Sequence, residues 1–579
     1  MSGSATSRNT PGDPPADAGS PGRLRPRRLA VSVGVGLATL AIMLAAEPRL
    51  AIVWDEGYTL GREARLRTWF RALRDPQAFA ATWVPPVEEL VQQVGAPAPR
   101  PDQVDTRSKL LFDPRVLAWF WPFAREEPHG HPPFYALLGL AGDVLAPTWQ
   151  TLPRARLGPI LLFSLCAGAV FHFVARRWGG WAAAVAAGAW VLQPNLFGHG
   201  HYAAYDAVLS ALWLLAVFSF VAAVDDNEPA IRRLKWLSVL IFGVILGCAM
   251  ATKLTGWFLP IPFVVWAVLY RRRRAFWVLG VGLAVGFGVL LLLNPPWWTE
   301  PVTGLVRFFR SNLTRGRTIP IPVQFLGTIY QTPLESLPWY NTIVWTVFVT
   351  PVGFLILGLA GVYRAVARIK TEPVGLLILG HWLFLLALRA APHTPGHDGV
   401  RLFLPAFGVL ALLAGLGVGQ IGQWLGKASR WIASASLAEG LLSVLVMMPT
   451  PLAYFSPIVV GLLGAVRLGM EPTYYWDGLD PAALAWLRDN TRPGQTIQFA
   501  TFPTSWLYLR ETGALPRRLA PIDLGTPAWY VLQNRPGAWA PWDRALVSRA
   551  TPEFTVDKLG VPLVWIFPYR ALQEAARGR

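Results

Sequence analysis

The chain has 579 residues, of which 53% are hydrophobic and only 15% charged, and its mean hydropathy is +0.38. A soluble protein carries about a quarter charged residues, so a string of soluble domains is excluded and a multi-span membrane protein is expected. The net charge of +18 comes in short bursts between apolar runs, which marks membrane orientation and excludes a nucleic-acid-binding stripe.

Residues 1–28 are rich in Pro, Gly, Ser and Ala and end in Arg23, Arg25, Arg27 and Arg28. They read as a disordered cytoplasmic tail, because they hold too little apolar surface to repay ordering. Leu29 to Ala46 is the first span. Basic residues, an apolar core and Ala45-Ala46 also fit a cleaved signal peptide. An uncleaved anchor is preferred, since cleavage would strand a long segment ahead of a polytopic domain. Soon after this span comes Trp54-Asp55-Glu56-Gly57-Tyr58. Two adjacent carboxylates at a membrane boundary are costly to desolvate, and Trp and Tyr are the side chains that favour that boundary.

Further apolar runs long enough to cross, or nearly cross, about 30 Å of hydrocarbon lie near 157–175, 181–197, 207–224, 236–252, 254–270, 276–293, 343–363, 374–388, 402–421 and 431–448. Alternate connections carry the cations: Arg176-Arg177; Arg232-Arg233 with Lys235; Arg271 to Arg274; Arg364, Arg368 and Lys370; Lys427 and Arg430. With the N-terminus inside, all of these are cytoplasmic and the Asp-Glu pair is outside. The expected fold is mainly α, a polytopic bundle of about 11 membrane helices over 29–470. Both cysteines, Cys166 and Cys248, sit in apolar runs, so no disulfide framework is on offer.

The outer segments 47–156 and 294–342 are long. The first holds Pro132 to Ala146, expected as a helix in the membrane interface; the second is rich in Pro, Arg and aromatics. Residues 471–579 read as a small extracytoplasmic α/β domain. Asp480-Pro481 starts a helix, while Thr496 to Phe502, Ala528 to Leu532 and Val561 to Phe567 read as strands. The stretch 458–468 is short and Gly-rich and is not counted as a span; were it to cross, the domain would be cytoplasmic.

Polar residues converge at the outer helix ends: Asp55 and Glu56, His129-Gly130-His131, His199-Gly200-His201, Asp206, Lys253, and His397-Asp398-Gly399 before Arg401. Taken singly, Lys253 and Arg401 are snorkelling cations and Asp206 an N-cap. His172 and His381 lie within spans and read as helix-packing hydrogen bonders. The His pairs have no carboxylate or thiol partners spaced for zinc, so no metal is expected to be required. Arg307, Arg310, Arg315 and Arg317 read as a solvated face or a headgroup contact, and the sequon at Asn312 is too short to weigh. What argues for a site is that so many ionisable groups share one side and one depth.

Asp55-Glu56, His131-Pro132-Pro133-Phe134-Tyr135, His201-Tyr202-Ala203-Ala204-Tyr205-Asp206, Lys253-Leu254-Thr255-Gly256 and Pro338-Trp339-Tyr340 occur in the order seen in GT-C glycosyltransferases. Over roughly residues 30–420 the chain resembles the protein O-mannosyltransferases and the aminoarabinose transferases that modify lipid A. The resemblance implies a polyprenyl-phosphate sugar donor, a base at Asp55 and a donor-side residue at Tyr340. It departs at His201, where the mannosyltransferases carry Arg, and at Gly130-His131, where the aminoarabinose transferases carry Glu-Lys.

A phosphate leaving group departs as an anion and needs no acid, so such a reaction asks for one base and a set of cations. Asp55 is expected to take the acceptor proton, with Glu56 or Asp206 orienting sugar or acceptor. His131, His201, Lys253 and Arg401 are expected at the donor phosphate. The acceptor hydroxyl would belong to a protein, a glycolipid or a polysaccharide. The rival reading, a transporter or lipid flippase, calls for internal repeats and mid-membrane charges, and neither is seen.

Overall fold

A computed structural model describes all residues except 1–20, 87–96, 122–130, 225–231, 319–320, 333–334, 393, 395–397, 517, 521 and 578–579. His129 and His397 therefore lie outside the described residues. Helix α1 (Pro21–Ala46) reaches back beyond the expected start at Leu29. Arg23, Arg25, Arg27 and Arg28 thus extend the first membrane helix instead of closing a disordered tail. Arg and Leu are good helix formers, and the extension also carries Pro26, which cannot donate within the helix.

Among the described residues seven helices are long and apolar enough to cross a membrane singly: Arg27–Arg49 within and just beyond α1, Thr151–Trp178, Tyr205–Val224, Arg273–Leu292, Pro373–Ala390, Pro405–Leu425 and Ala428–Met447. The other expected spans are helical but shorter or interrupted. Gly180–Leu192 breaks before Pro194–His201, Leu254–Phe258 is a 3-10 turn leading into Pro260–Leu269, and Asn341–Val349 breaks before Val352–Ala367. Each break falls at a proline (Pro194, Pro260, Pro351), which cannot donate within a helix and starts a new one at its first turn. The result is a multi-pass helical membrane protein.

Pro405–Leu425 is the hub of the bundle, buried along nearly its whole length. It packs closely on Val352–Ala367 because glycines meet there. A Cβ on Gly417 would lie 1.8 Å from Leu357 O, and one on Gly361 would lie 1.9 Å from Leu413 O. Small residues let backbones touch where lipid supplies no hydrophobic drive between helices.

Three further features position the site. Helix α2 (Trp54–Arg74) starts at the Asp-Glu pair. The expected interfacial helix is two short ones, Phe134–Gly139 and Ala141–Leu145. Segment 294–342 folds as a helix, Pro301–Thr318, and an antiparallel hairpin, β1 (Ile321–Phe325) and β2 (Thr328–Thr332).

Gly461–Arg467 spans seven residues, far short of a crossing. The C-terminal sheet adds β3 (Gln495–Phe499), β4 (Thr526–Gln533), β5 (Phe554–Lys558) and β6 (Val561–Pro568), in the order β3-β4-β6-β5. β3 and β4 run parallel and the other pairs antiparallel. Its core is shared: Ile497, Val531, Leu487 and Ile566 form one buried cluster with Ile52, Leu60, Ala155 and Ala203. The C-terminal unit therefore sits on the Asp55 side and is packed into the membrane part rather than tethered to it.

Candidate active site

The first turn of α2 presents two carboxylates to the positive end of the helix dipole. Trp54 N donates to Tyr475 O at 3.0 Å, and Thr504 Oγ1 donates to Trp54 O, so the C-terminal unit grips this turn. Gly57 makes the approach possible, since a Cβ there would lie 2.3 Å from Thr504 C. Successive helical residues leave the axis about 100° apart, and Asp55 and Glu56 accordingly enter different surroundings.

Glu56 is 0% exposed. Its Oε2 accepts from Val53 N (3.0 Å) and Arg156 Nη2 (2.7 Å), and its Oε1 accepts from Arg156 Nε (2.7 Å) and Ala203 N (2.9 Å). Arg156, also fully buried, pairs further with Glu47 at 3.0 Å and donates to Ala51 O at 2.7 Å. A carboxylate so fully bonded ties the end of α1, the start of α2 and the 203 loop together, and has no lone pair to spare for a reacting atom.

Asp55 faces a cluster of cations and hydroxyls. Its Oδ2 accepts from Arg401 Nη1 (2.7 Å) and Tyr475 OH (2.7 Å). Arg401 Nη1 also donates to Tyr205 OH at 3.1 Å, and its Nη2 donates to Asp398 Oδ2 at 3.0 Å. Lys253 Nζ donates to Asp206 Oδ1 at 2.6 Å and lies 4.7 Å from the Tyr205 ring centroid. Asp206 Oδ2 is 3.8 Å from Arg401 Nη1 and, among the described residues, accepts no hydrogen bond. Asp55, Asp206, Lys253 and Arg401 are 7%, 1%, 5% and 6% exposed, so the cluster is closed to solvent.

Burial pushes the Asp55 carboxyl up, but Arg401, hydrogen bonds from Tyr205 and Tyr475, and Lys253 together hold it below the usual carboxylate range. Burial pulls Lys253 down to about 8 against the attraction of Asp206, which leaves it a cation at neutral pH. The cluster thus combines an ionised carboxylate, an ammonium and a guanidinium in one water-poor space.

The other expected site residues divide. His131 is buried with its ring centroid 3.8 Å from that of Tyr205, against the cluster. His201 is not at the cluster, contrary to expectation. Its ring nitrogens lie 2.7 Å from Phe197 O and 3.0 Å from Met43 O, and burial drives it down to about 4. Neutral, it carries one N–H and so donates to only one of the two carbonyls, the one on its own helix or the one at the end of α1. Tyr340 also sits apart: it is 38% exposed, with Trp339 and Phe325 as its ring neighbours. Among the described residues no group of three or more His, Cys, Asp and Glu is arranged to hold a metal.

Sequence reasoning passed over Arg156 and Tyr475. A signal existed for the first: Arg154 and Arg156 stand at the outer end of a span, where cations are not favoured. For Tyr475 the only hint was the aromatic-acidic run Tyr474-Tyr475-Trp476-Asp477.

Residues 131–298 match the family model described as dolichyl-phosphate-mannose-protein mannosyltransferase. That stretch contains His131, His201, Asp206 and Lys253. No curated protein matches the chain. Among solved structures, apo ArnT from Cupriavidus metallidurans is 16% identical with a TM-score of 0.47, covering 94% of this chain and 98% of its own. The same protein bound to undecaprenyl phosphate is 14% identical with a TM-score of 0.48, covering 93% and 97%. The oligosaccharyltransferase AglB from Archaeoglobus fulgidus, in complex with an inhibitory peptide and a dolichol-phosphate, is 14% identical with a TM-score of 0.43, covering 86% and 69%.

Proposed function

We propose that this chain is a glycosyltransferase of the GT-C class that moves a sugar from a polyprenyl-phosphate donor to an acceptor hydroxyl with Asp55 as base. The reaction takes place on the outer face of the cytoplasmic membrane, where the cationic connections put the Asp-Glu pair. One observation carries the reading: an ionised, buried Asp55 shares a closed space with Arg401 and Lys253.

Chemically, the acceptor oxygen attacks the anomeric carbon from the face opposite the phosphate, and the carbon–phosphate-oxygen bond breaks with inversion. The acceptor proton passes to the Asp55 carboxylate. The electron pair leaves with the polyprenyl phosphate, whose growing charge is met by Lys253 and Arg401. Preorganised cations in a water-poor site stabilise such charge far more than in bulk water. Asp206 holds Lys253 in place, His131 lines the same space through Tyr205, and Glu56 fixes the helix turn from behind. His201 and Tyr340 receive no role. No metal is required, because the leaving group is already an anion and the cations are side chains.

The test supplies lipid-linked sugars to membranes containing the protein. Transfer from a polyprenyl-phosphate sugar, unaffected by EDTA and absent with nucleotide sugars, is expected. Transfer from a nucleotide sugar in sealed right-side-out vesicles, or complete loss with EDTA, would sink the mechanism. Offering protein, glycolipid and polysaccharide acceptors in turn names the acceptor.

A further inference from the structure

Arg401 bridges two carboxylates. One end of its guanidinium donates to Asp55 Oδ2 (2.7 Å) and the other to Asp398 Oδ2 (3.0 Å). Asp398 sits three residues away on the same loop and competes with Asp55 for the same cation. Its second oxygen, Oδ1, accepts from Arg535 Nη2 at 2.6 Å. Arg535 comes from the C-terminal unit, just after β4, where the same Nη2 donates to Pro322 O at 3.3 Å. Behind it, Glu471 Oε2 lies 3.9 Å from Arg535 Nε, and Glu471 Oε1 accepts from Gly537 N at 3.0 Å. Charges alternate along this row from Asp55 through Arg401 and Asp398 to Arg535, with the Glu471 carboxyl behind it. Side-chain exposure along it is 15% or less, so solvent screens the row weakly.

We infer that Arg535 is a positioning residue for the proposed transfer: by neutralising Asp398 from the C-terminal unit, it leaves the Arg401 guanidinium to serve Asp55. Without Arg535, Asp398 has one cation instead of two, draws Arg401 towards itself, and adds an unbalanced negative charge near Asp55. Both effects disfavour the ionised base. The groups facing Asp55 are Arg401, Lys253, Tyr205 and Tyr475, with Asp206 and His199 further off. Asp398 faces Arg401 and Arg535, with Glu471 and Tyr474 further off, and Arg535 faces Asp398 and Glu471. Within this row Arg535 is the link that the C-terminal sheet supplies. The inference rests on Asp55 being the base.

The experiment reads Asp55 directly in the purified full-length protein, as the infrared C=O band of the protonated carboxyl that disappears in Asp55→Asn. In Arg535→Gln its titration midpoint is expected to rise by about one pH unit, while Arg535→Lys stays close to wild type. The acid limb of kcat/KM for a polyprenyl-phosphate sugar should move by the same amount. Asp398→Asn removes the competitor and should lower the midpoint, which keeps the test open if Arg535→Gln does not fold. An unmoved midpoint in a well-folded Arg535→Gln protein, or an upward shift in Asp398→Asn, overturns the inference. Midpoints that move as expected in a wild-type background that uses no lipid-linked sugar would instead bring down the transferase mechanism and leave the positioning of Arg401 standing.

Discussion

Asp55 and Glu56 are neighbours on one helical turn, both buried, yet they live in opposite kinds of surroundings. Glu56 meets a single arginine edge-on and backbone N–H groups at 2.7–3.0 Å, with every lone pair engaged. Asp55 meets cations that have other claims on them: Arg401 is shared with Asp398 and Tyr205, and Lys253 is held by Asp206. A saturated ion pair is structure, because nothing can enter without breaking it. A cluster whose cations are shared can admit a phosphate by exchanging partners. Burial alone does not separate the two carboxylates; the state of their partners does.

The sharpest test of that contrast is Asp55→Asn. Its turnover is expected to fall by about 1,000-fold with expression and membrane insertion retained, since the amide keeps the shape and loses the basicity. Wild-type turnover in the purified variant would remove Asp55 from the base role. Glu56→Gln should behave in the converse way. It leaves Arg156 buried with only Glu47 as a charged partner, so stability is expected to drop by about 3 kcal/mol. The protein that does fold should turn over within about tenfold of wild type. A stable but inactive Glu56→Gln protein would erase the distinction between the two sides.

Lys253→Ala probes the cation side, and kcat/KM for the lipid donor should fall by about 100-fold. Lys253→Arg should retain part of the activity, because charge matters more than shape in facing a phosphate. Unchanged kinetics in the alanine variant would mean that Lys253 serves only Asp206. A smaller effect is expected at Gly57, where a methyl group would press on Thr504. Gly57→Ala should cost about 1–3 kcal/mol, read as faster proteolysis of the C-terminal unit; wild-type protease resistance would show that the contact yields freely.

The mildest prediction concerns pH. Burial raises the Glu471 carboxyl to about 7 against the pull of Arg535, so the folded state holds this proton more tightly than the unfolded chain does. Its contribution to stability is complete below about 4.5 and is lost as pH rises through about 7. The thermal midpoint should therefore decline across that window, and Glu471→Gln should flatten the decline. A decline just as steep in the variant would place the responsible proton elsewhere.

By itself the sequence determined what depends on runs of neighbouring residues. Apolar length and the alternation of Arg and Lys between runs set the multi-pass fold and one common side for Asp55, His131, Asp206, Lys253 and Arg401, because hydrocarbon thickness and charge bias act on segments. The breaks at Pro194 and near Pro351, inside runs read as continuous spans, showed only in the structure. Tertiary structure decided which polar groups share a space. Arg156 and Glu56 are 100 residues apart, and Tyr475 reaches Asp55 across 420; Arg535 meets Asp398 across 137. Such pairs leave no periodicity to read. His201 and Asp206 stand in one motif, yet one lies against backbone carbonyls and the other accepts from a lysine. The turn at Tyr202 and the direction in which each side chain leaves its helix made that choice, and those are properties of packing.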